Sequence, residues 1–281
     1  MERIWVWTVR AWWAALPFSA GPVLADALSP TATAWRTTAS LGLWVVWAAV
    51  LLGSLVAHPK TLVLIRLALP GALVASVWAG LGAADGLSVT LVAALTAAIA
   101  VLSLSAPVGH FFVNGISYGD EVRLLLRPPV VLLVVGIPVA GVVSTGGWVS
   151  GPLLLAAEHW ILGGIITPVG WCLAAIGIRS LYSLTQRWLV FVPAGVLLHD
   201  HLAVQDPLLL RRRAISSFTA AERGANAVDL TGGATGLILQ ITGSGSISFL
   251  PPKTRTQTTA DALLVAPCRC GLAVSLAEKR L

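Results

Sequence analysis

Between residues 38 and 107 only three side chains carry a formal charge: Lys60, Arg66 and Asp85. A stretch this apolar cannot coat a water-facing surface. In lipid its backbone N–H and C=O groups must find partners within the chain, which favours helices. Across all 281 residues the charged fraction is 11%, against about 25% in ordinary soluble domains. That balance excludes a freely soluble enzyme, a disordered chain and a charged nucleic-acid-binding domain. It predicts an α-helical integral membrane domain whose first partner is the lipid bilayer.

A helical span needs about 20 apolar residues. Six segments approach this, at about residues 11–28, 38–57, 62–84, 86–107, 129–149 and 152–178. The first is short and broken by Pro17, Gly21 and Pro22. It also admits a second reading, a basic leader with an Ala25-Asp26-Ala27 cleavage pattern. The prolines and the span-rich sequence behind it favour a retained span.

Alternating passage places Arg3, Arg10, Lys60, Arg66, Arg123, Arg127, Arg179 and Arg187 on one side and Arg36 on the other. Basic residues collect in cytoplasmic segments. The expectation is therefore a multi-pass protein of the cell membrane with both termini cytoplasmic. Arg66, one turn inside the third segment, would extend its stem toward the interface.

From residue 187 the texture changes to short apolar runs punctuated by Gly, Pro, Asp and Thr. Strands are predicted at about 187–192, 196–204, 208–213, 214–218, 235–242, 246–250 and 262–266, with a helix at 271–280. Gly243-Ser244-Gly245 reads as a hairpin turn. A small β-rich cytoplasmic domain with a terminal helix thus follows the membrane domain, divided as 187–281 and 1–186. Ten basic residues against six acidic make the 187–281 segment cationic.

The block order of 187–281, led by Arg187-Trp-Leu-Val-Phe-Val-Pro-Ala-Gly-Val, resembles the pleckstrin-homology-like domains that some bacterial membrane proteins carry after their spans. The whole chain is similar to uncharacterised multi-span membrane proteins of GC-rich actinobacteria; 15 Arg against three Lys suit such coding. The resemblance implies short strands closed by a terminal helix, and no catalytic residue.

Glu158-His159 stands about six residues inside the sixth segment, where ionisable groups are costly and often functional. A carboxylate beside an imidazole suits proton relay or cation binding. Local capping at the outer headgroup level is the simpler reading. Asp26, Asp85 and Arg36 fall on the same outer side. In the 108–128 connection, Tyr118, Asp120, Glu121 and Arg123 form the one polar cluster between segments. Two adjacent acids there suit either a divalent ion against a lipid phosphate or a turn leading into the C-terminal domain. Arg211, Arg212 and Arg213 suit anionic headgroups or the protection of an edge strand; strand alternation would put Arg211 and Arg213 on one face. His199 and His201 would share a face in the same way. The glycines at 232, 233, 236, 243 and 245 read as turn residues, since no Lys-Ser/Thr follows them. Cys172, Cys268 and Cys270 read as reduced thiols. No catalytic residue, metal site or cofactor is expected.

Three functions follow in order of preference. The first is a non-enzymatic anchor or regulator presenting its cytoplasmic β module to a partner protein or the membrane surface. The second is a small transporter or channel using Glu158 and His159. The third is a lipid-modifying enzyme using Asp120 and Glu121.

Overall fold

The computed structural model describes residues 2–81, 86–222, 224–252, 254 and 256–281, with residues 86–88 by backbone only. Asp85 lies outside the described residues. The chain forms two compact units, Met1–Phe112 with Pro138–Tyr182, and Val113–Ile137 with Ser183–Leu281.

The first unit is helical: α1 (Glu2–Leu28), α2 (Thr33–Leu55), α3 (Pro59–Gly80), α4 (Gly86–Leu104), α5 (Ala106–Asn114), α6 (Ile137–Ala156) and α7 (Trp160–Leu184). A π-helical turn, Leu132–Gly136, leads into α6. Among the described residues, four helices are long and apolar enough to cross a membrane: α2, α3, α6 with its π-helical lead-in, and α7. A fifth results if α4 and α5, bent by 54°, count as one. The expected first segment, 11–28, falls short of that standard, because Pro17, Pro22 and Asp26 dilute it. It is instead part of α1, whose buried Val6, Val9, Trp13 and Ala20 repeat at three, four and seven. That spacing gives one apolar face, packed on α2, α3 and α4.

Prolines inside these helices each leave a carbonyl four residues earlier without its N–H, and the one left by Pro17 is met from another helix. Pro17 releases the carbonyl of Trp13, which accepts from Trp47 Nε1 at 2.9 Å. Trp13 Nε1 donates in return to the Trp47 carbonyl at 2.9 Å. The carbonyl of Ser103, in the last turn of α4, accepts from Arg66 Nε at 3.3 Å. Arg66 therefore caps the last turn of α4. Arg10 does the same for α2, donating from Nε to the Ser54 carbonyl at 3.0 Å.

Helices α6 and α7 meet through small residues. A Cβ on Gly147 would collide with the Gly170 carbonyl, one on Gly151 with Thr167, and one on Gly177 with Ser144. Such close backbone approach is how apolar helices associate without a hydrophobic driving force between them. The wide faces beyond this seam stay exposed, Val142, Trp160, Ile161, Ile165 and Ile176 among them.

The second unit holds two four-stranded sheets. One runs in the order β1 (Val122–Leu125), β2 (Trp188–Val192), β3 (Gly195–His199), β4 (Leu208–Arg211), all antiparallel. The other is ordered β5 (Ile215–Ala220), β7 (Leu239–Phe249), β8 (Thr258–Val265), β6 (Val228–Asp229). Helix α8 (Cys270–Arg280) packs on β2 and β5. The core joins both sheets and the helix through Leu124, Phe191, Leu198, Ile241, Leu263 and Ala273.

Strand β1 precedes α6 in the chain, yet it pairs with β2, which follows α7. Leu125 faces Trp188, and the N–H of Leu126 donates to the Arg187 carbonyl at 3.0 Å. Residues 128–186 are thus the loop of a β-hairpin. The 108–128 connection is part helix and part sheet, and the β-rich unit draws on residues well before 187.

Several strand expectations change in detail. Gly243–Gly245 is no hairpin: β7 runs straight through it, with a register shift against β8 between Thr242 and Ile247. Tight hairpin turns need positive φ, and neither glycine has it; Gly232, Gly233 and Gly236 do. Strand β3 stops at His199 because Asp200 turns the chain, its carbonyl accepting from Ala203 and Val204. His201 therefore leaves the strand, and the shared-face placement with His199 is lost.

Asp200 and Arg187 form a buried two-pronged pair, Nε to Oδ1 and NH2 to Oδ2, both at 2.7 Å. Arg187 also donates to the Arg127 carbonyl at 3.1 Å, and Asp200 accepts from the Leu202 N–H at 3.0 Å. Geometry of this quality is what lets a buried ion pair offset its desolvation. It pins the start of β2 to the turn after β3.

Candidate functional site

Glu158 and His159 are not inside a helix. Helix α6 continues past Pro152 to Ala156 and α7 begins at Trp160, so the pair makes the exposed turn between them. The turn is a Schellman closure. His159 N–H donates to the Leu154 carbonyl at 3.0 Å, and Glu158 N–H to the Leu155 carbonyl at 3.0 Å. Glu158 takes the left-handed position, with φ of 64°, where glycine is usual. His159 then starts α7, its carbonyl accepting from Gly163 at 2.7 Å. The backbone of both residues thus serves to reverse the chain.

Around Tyr118, Asp120, Glu121 and Arg123 the geometry is also architectural. Asn114 stands in for a strand residue: its Oδ1 accepts from Arg123 N–H and its Nδ2 donates to the Arg123 carbonyl, each at 2.8 Å. Glu121 Oε1 accepts from the Tyr118 N–H at 2.8 Å and from Arg123 NH2 at 2.5 Å. The Asp120 carbonyl accepts from Arg280. Arg123 lies 4.7 Å over the Trp188 ring, and Trp188 stacks on His199 with centroids 5.5 Å apart. Burial lowers the His199 pKa below its usual value; His201 and Arg123 push the same way, and Asp200 opposes them. Tyr118 is exposed. Among the described residues no three His, Cys, Asp or Glu side chains gather as metal ligands.

At the basic corner, β4 ends at Arg211, and Arg212–Ala214 is a 3-10 turn. Strand alternation therefore does not sort these arginines by face. All three are exposed. Arg212 Nε donates to the Leu281 carbonyl at 2.7 Å, which ties the corner to the end of α8. The Arg213 carbonyl accepts from Ser244 Oγ at 3.2 Å.

A fourth place was not singled out from the sequence. Arg3, Val6, Trp7 and Arg10 of α1 and Phe111 of α5 line a groove of about 240 Å³. The Arg10 guanidinium lies 5.0 Å from the Trp7 ring and 5.7 Å from the Phe111 ring. Glu2 and His110 join the same two helices at 2.9 Å. The i, i+4, i+7 spacing of Arg3, Trp7 and Arg10 was available as a signal, but the first expected span began only at residue 11 and left residues 1–10 outside it. No family model matches this sequence, and neither a curated protein nor a solved structure is found to match it.

Proposed function

We propose that the protein is an integral membrane protein of the cell membrane with both termini in the cytoplasm. Its helices anchor a β module that engages the anionic membrane surface, with a protein partner as the alternative occupant. The observation that carries this reading is the β1–β2 pairing across residues 128–186. If α6 and α7 cross the bilayer, they leave and return on one side, and the module sits at that side. The first unit supports the same sidedness. Glu2–His110, Arg10–Ser54 and Lys60–Tyr182 contacts bring together the chain ends that alternating passage assigns to the cytoplasm. The exposed Arg211–Arg213 corner supplies the cationic surface, at about 1 kcal/mol per basic residue near anionic lipid.

The test uses the full chain in lipid nanodiscs. Amide exchange at residues 208–214 should slow in phosphatidylglycerol relative to phosphatidylcholine. Replacing Arg211, Arg212 and Arg213 by Gln should abolish the difference. Equal exchange in both lipids for the unaltered chain would remove the headgroup reading.

A further inference from the structure

We infer that the groove between α1 and α5 binds the phosphate of an anionic glycerophospholipid. This goes beyond the role of the β module and rests on the membrane reading of the helices. Arg3, Trp7 and Arg10 share one stripe of α1, and Phe111 of α5 closes the groove beside Arg10. Arg10 is held in place by the Ser54 carbonyl and by the two flanking rings. Nε and NH2 both donate to the Ser54 carbonyl, so the guanidinium is oriented before a ligand arrives and keeps NH1 for it, and guanidinium suits phosphate oxygens better than ammonium does. Arg3 is exposed at the mouth and adds the second cation. The neighbouring carboxylate, Glu2, is bonded to His110 at 2.9 Å, an arrangement that also ties α1 to α5.

Size and setting select the ligand class. A volume of about 240 Å³ is below the ~300–1,000 Å³ typical of sites for drug-sized molecules. A headgroup fits, with its acyl chains left outside. Trp5 and Trp7 are exposed at this end of α1, and indole rings settle at the headgroup level of a bilayer. A lipid phosphate and a soluble phosphate ester share the recognised chemistry, so the experiment separates them.

The full chain in zwitterionic detergent is titrated with dihexanoyl phosphatidylglycerol, dihexanoyl phosphatidylcholine or glycerol 1-phosphate, and adducts are counted by native mass spectrometry. Arg3→Gln is the informative variant, because its side chain is exposed and caps no helix; Arg10→Gln would also uncap α2. Phosphatidylglycerol should bind at least about tenfold more tightly than phosphatidylcholine, and Arg3→Gln should weaken it about tenfold, the scale of one charge-assisted hydrogen bond. Arg211→Gln with Arg213→Gln should leave this binding unchanged, which separates the groove from the module. Unaltered phosphatidylglycerol binding in Arg3→Gln overturns the assignment. Glycerol 1-phosphate binding as tightly as the lipid overturns the lipid source. A chain recovered without detergent in the soluble fraction overturns this inference together with the membrane reading.

Discussion

Residues 187–281 alone should fail to fold, although by sequence they look like a complete domain. The fragment lacks β1 and its continuation, which insert Leu124 and Leu126 into the core at 1% and 6% exposure. Burying a leucine stabilises by about 1.5–3 kcal/mol, so the two contribute about 3–6 kcal/mol on that scale. A small domain has only about 5–15 kcal/mol in total. Arg127 is lost as well, with its bonds to the Thr235 and Leu237 carbonyls at 2.5 and 2.9 Å. Restoring residues 113–127 in front of 187–281 through a short Gly-Ser loop should rescue folding. The splice is local, because Leu126 and Arg187 are already hydrogen-bonded. Chemical denaturation followed by far-UV circular dichroism, with an amide NMR spectrum of each fragment, decides the matter. The spliced fragment should unfold cooperatively and 187–281 should not. A cooperative transition of equal midpoint in both would refute the hairpin-with-inserted-helices account.

Three further outcomes follow from particular contacts. Trp47→Phe removes the donor that meets the Trp13 carbonyl and should cost about 1 kcal/mol. That cost should shrink in a Pro17→Ala background, where the helix supplies its own N–H; equal costs in both backgrounds, by thermal unfolding in detergent, would contradict the proline explanation. Glu158→Gly should stabilise the α6–α7 turn by about 1 kcal/mol, since left-handed backbone costs a non-glycine residue about 1–2 kcal/mol; a lowered melting temperature would contradict this. His199 binds its proton less readily when folded than when unfolded, burial being the main cause. Its contribution is thus complete above its unfolded pKa of 6.5 and is lost as pH falls from there through the lower folded value. His199→Gln should flatten that part of the stability profile of the spliced fragment, and an unchanged slope would refute the assignment.

What the sequence revealed and concealed divides along physical lines. Long apolar runs announced the helices, because a 20-residue pattern is hard to mistake. The β-branched and aromatic run Trp188–Val192 and the helical spacing of 271–280 were equally plain. The α6–α7 turn was hidden because it uses Glu158 where glycine usually signals a reversal, while Pro152, the apparent helix start, lies within α6. The bulge at Gly243–Gly245 carries the composition of a hairpin without its positive φ. Strand β1 was obscured by distance: Arg123-Leu-Leu-Leu gains its strand identity only from β2, more than sixty residues later. The arginine caps at Ser54 and Ser103 likewise join residues about forty apart, and no local pattern reports them. At the candidate sites the residue types were visible, but their engagement was not. Nothing in Asp120-Glu121-Val122-Arg123 by itself says that Glu121 bonds Tyr118 and Arg123.

Sidedness is the claim on which the proposed roles rest. The decisive measurement fuses alkaline phosphatase, active only outside the cytoplasm, after Leu281 or within the Ala157–His159 turn, with green fluorescent protein in the same places as the converse reporter. The account predicts a fluorescent, phosphatase-inactive fusion at Leu281 and an active phosphatase at the turn. Active phosphatase beyond Leu281 would contradict it.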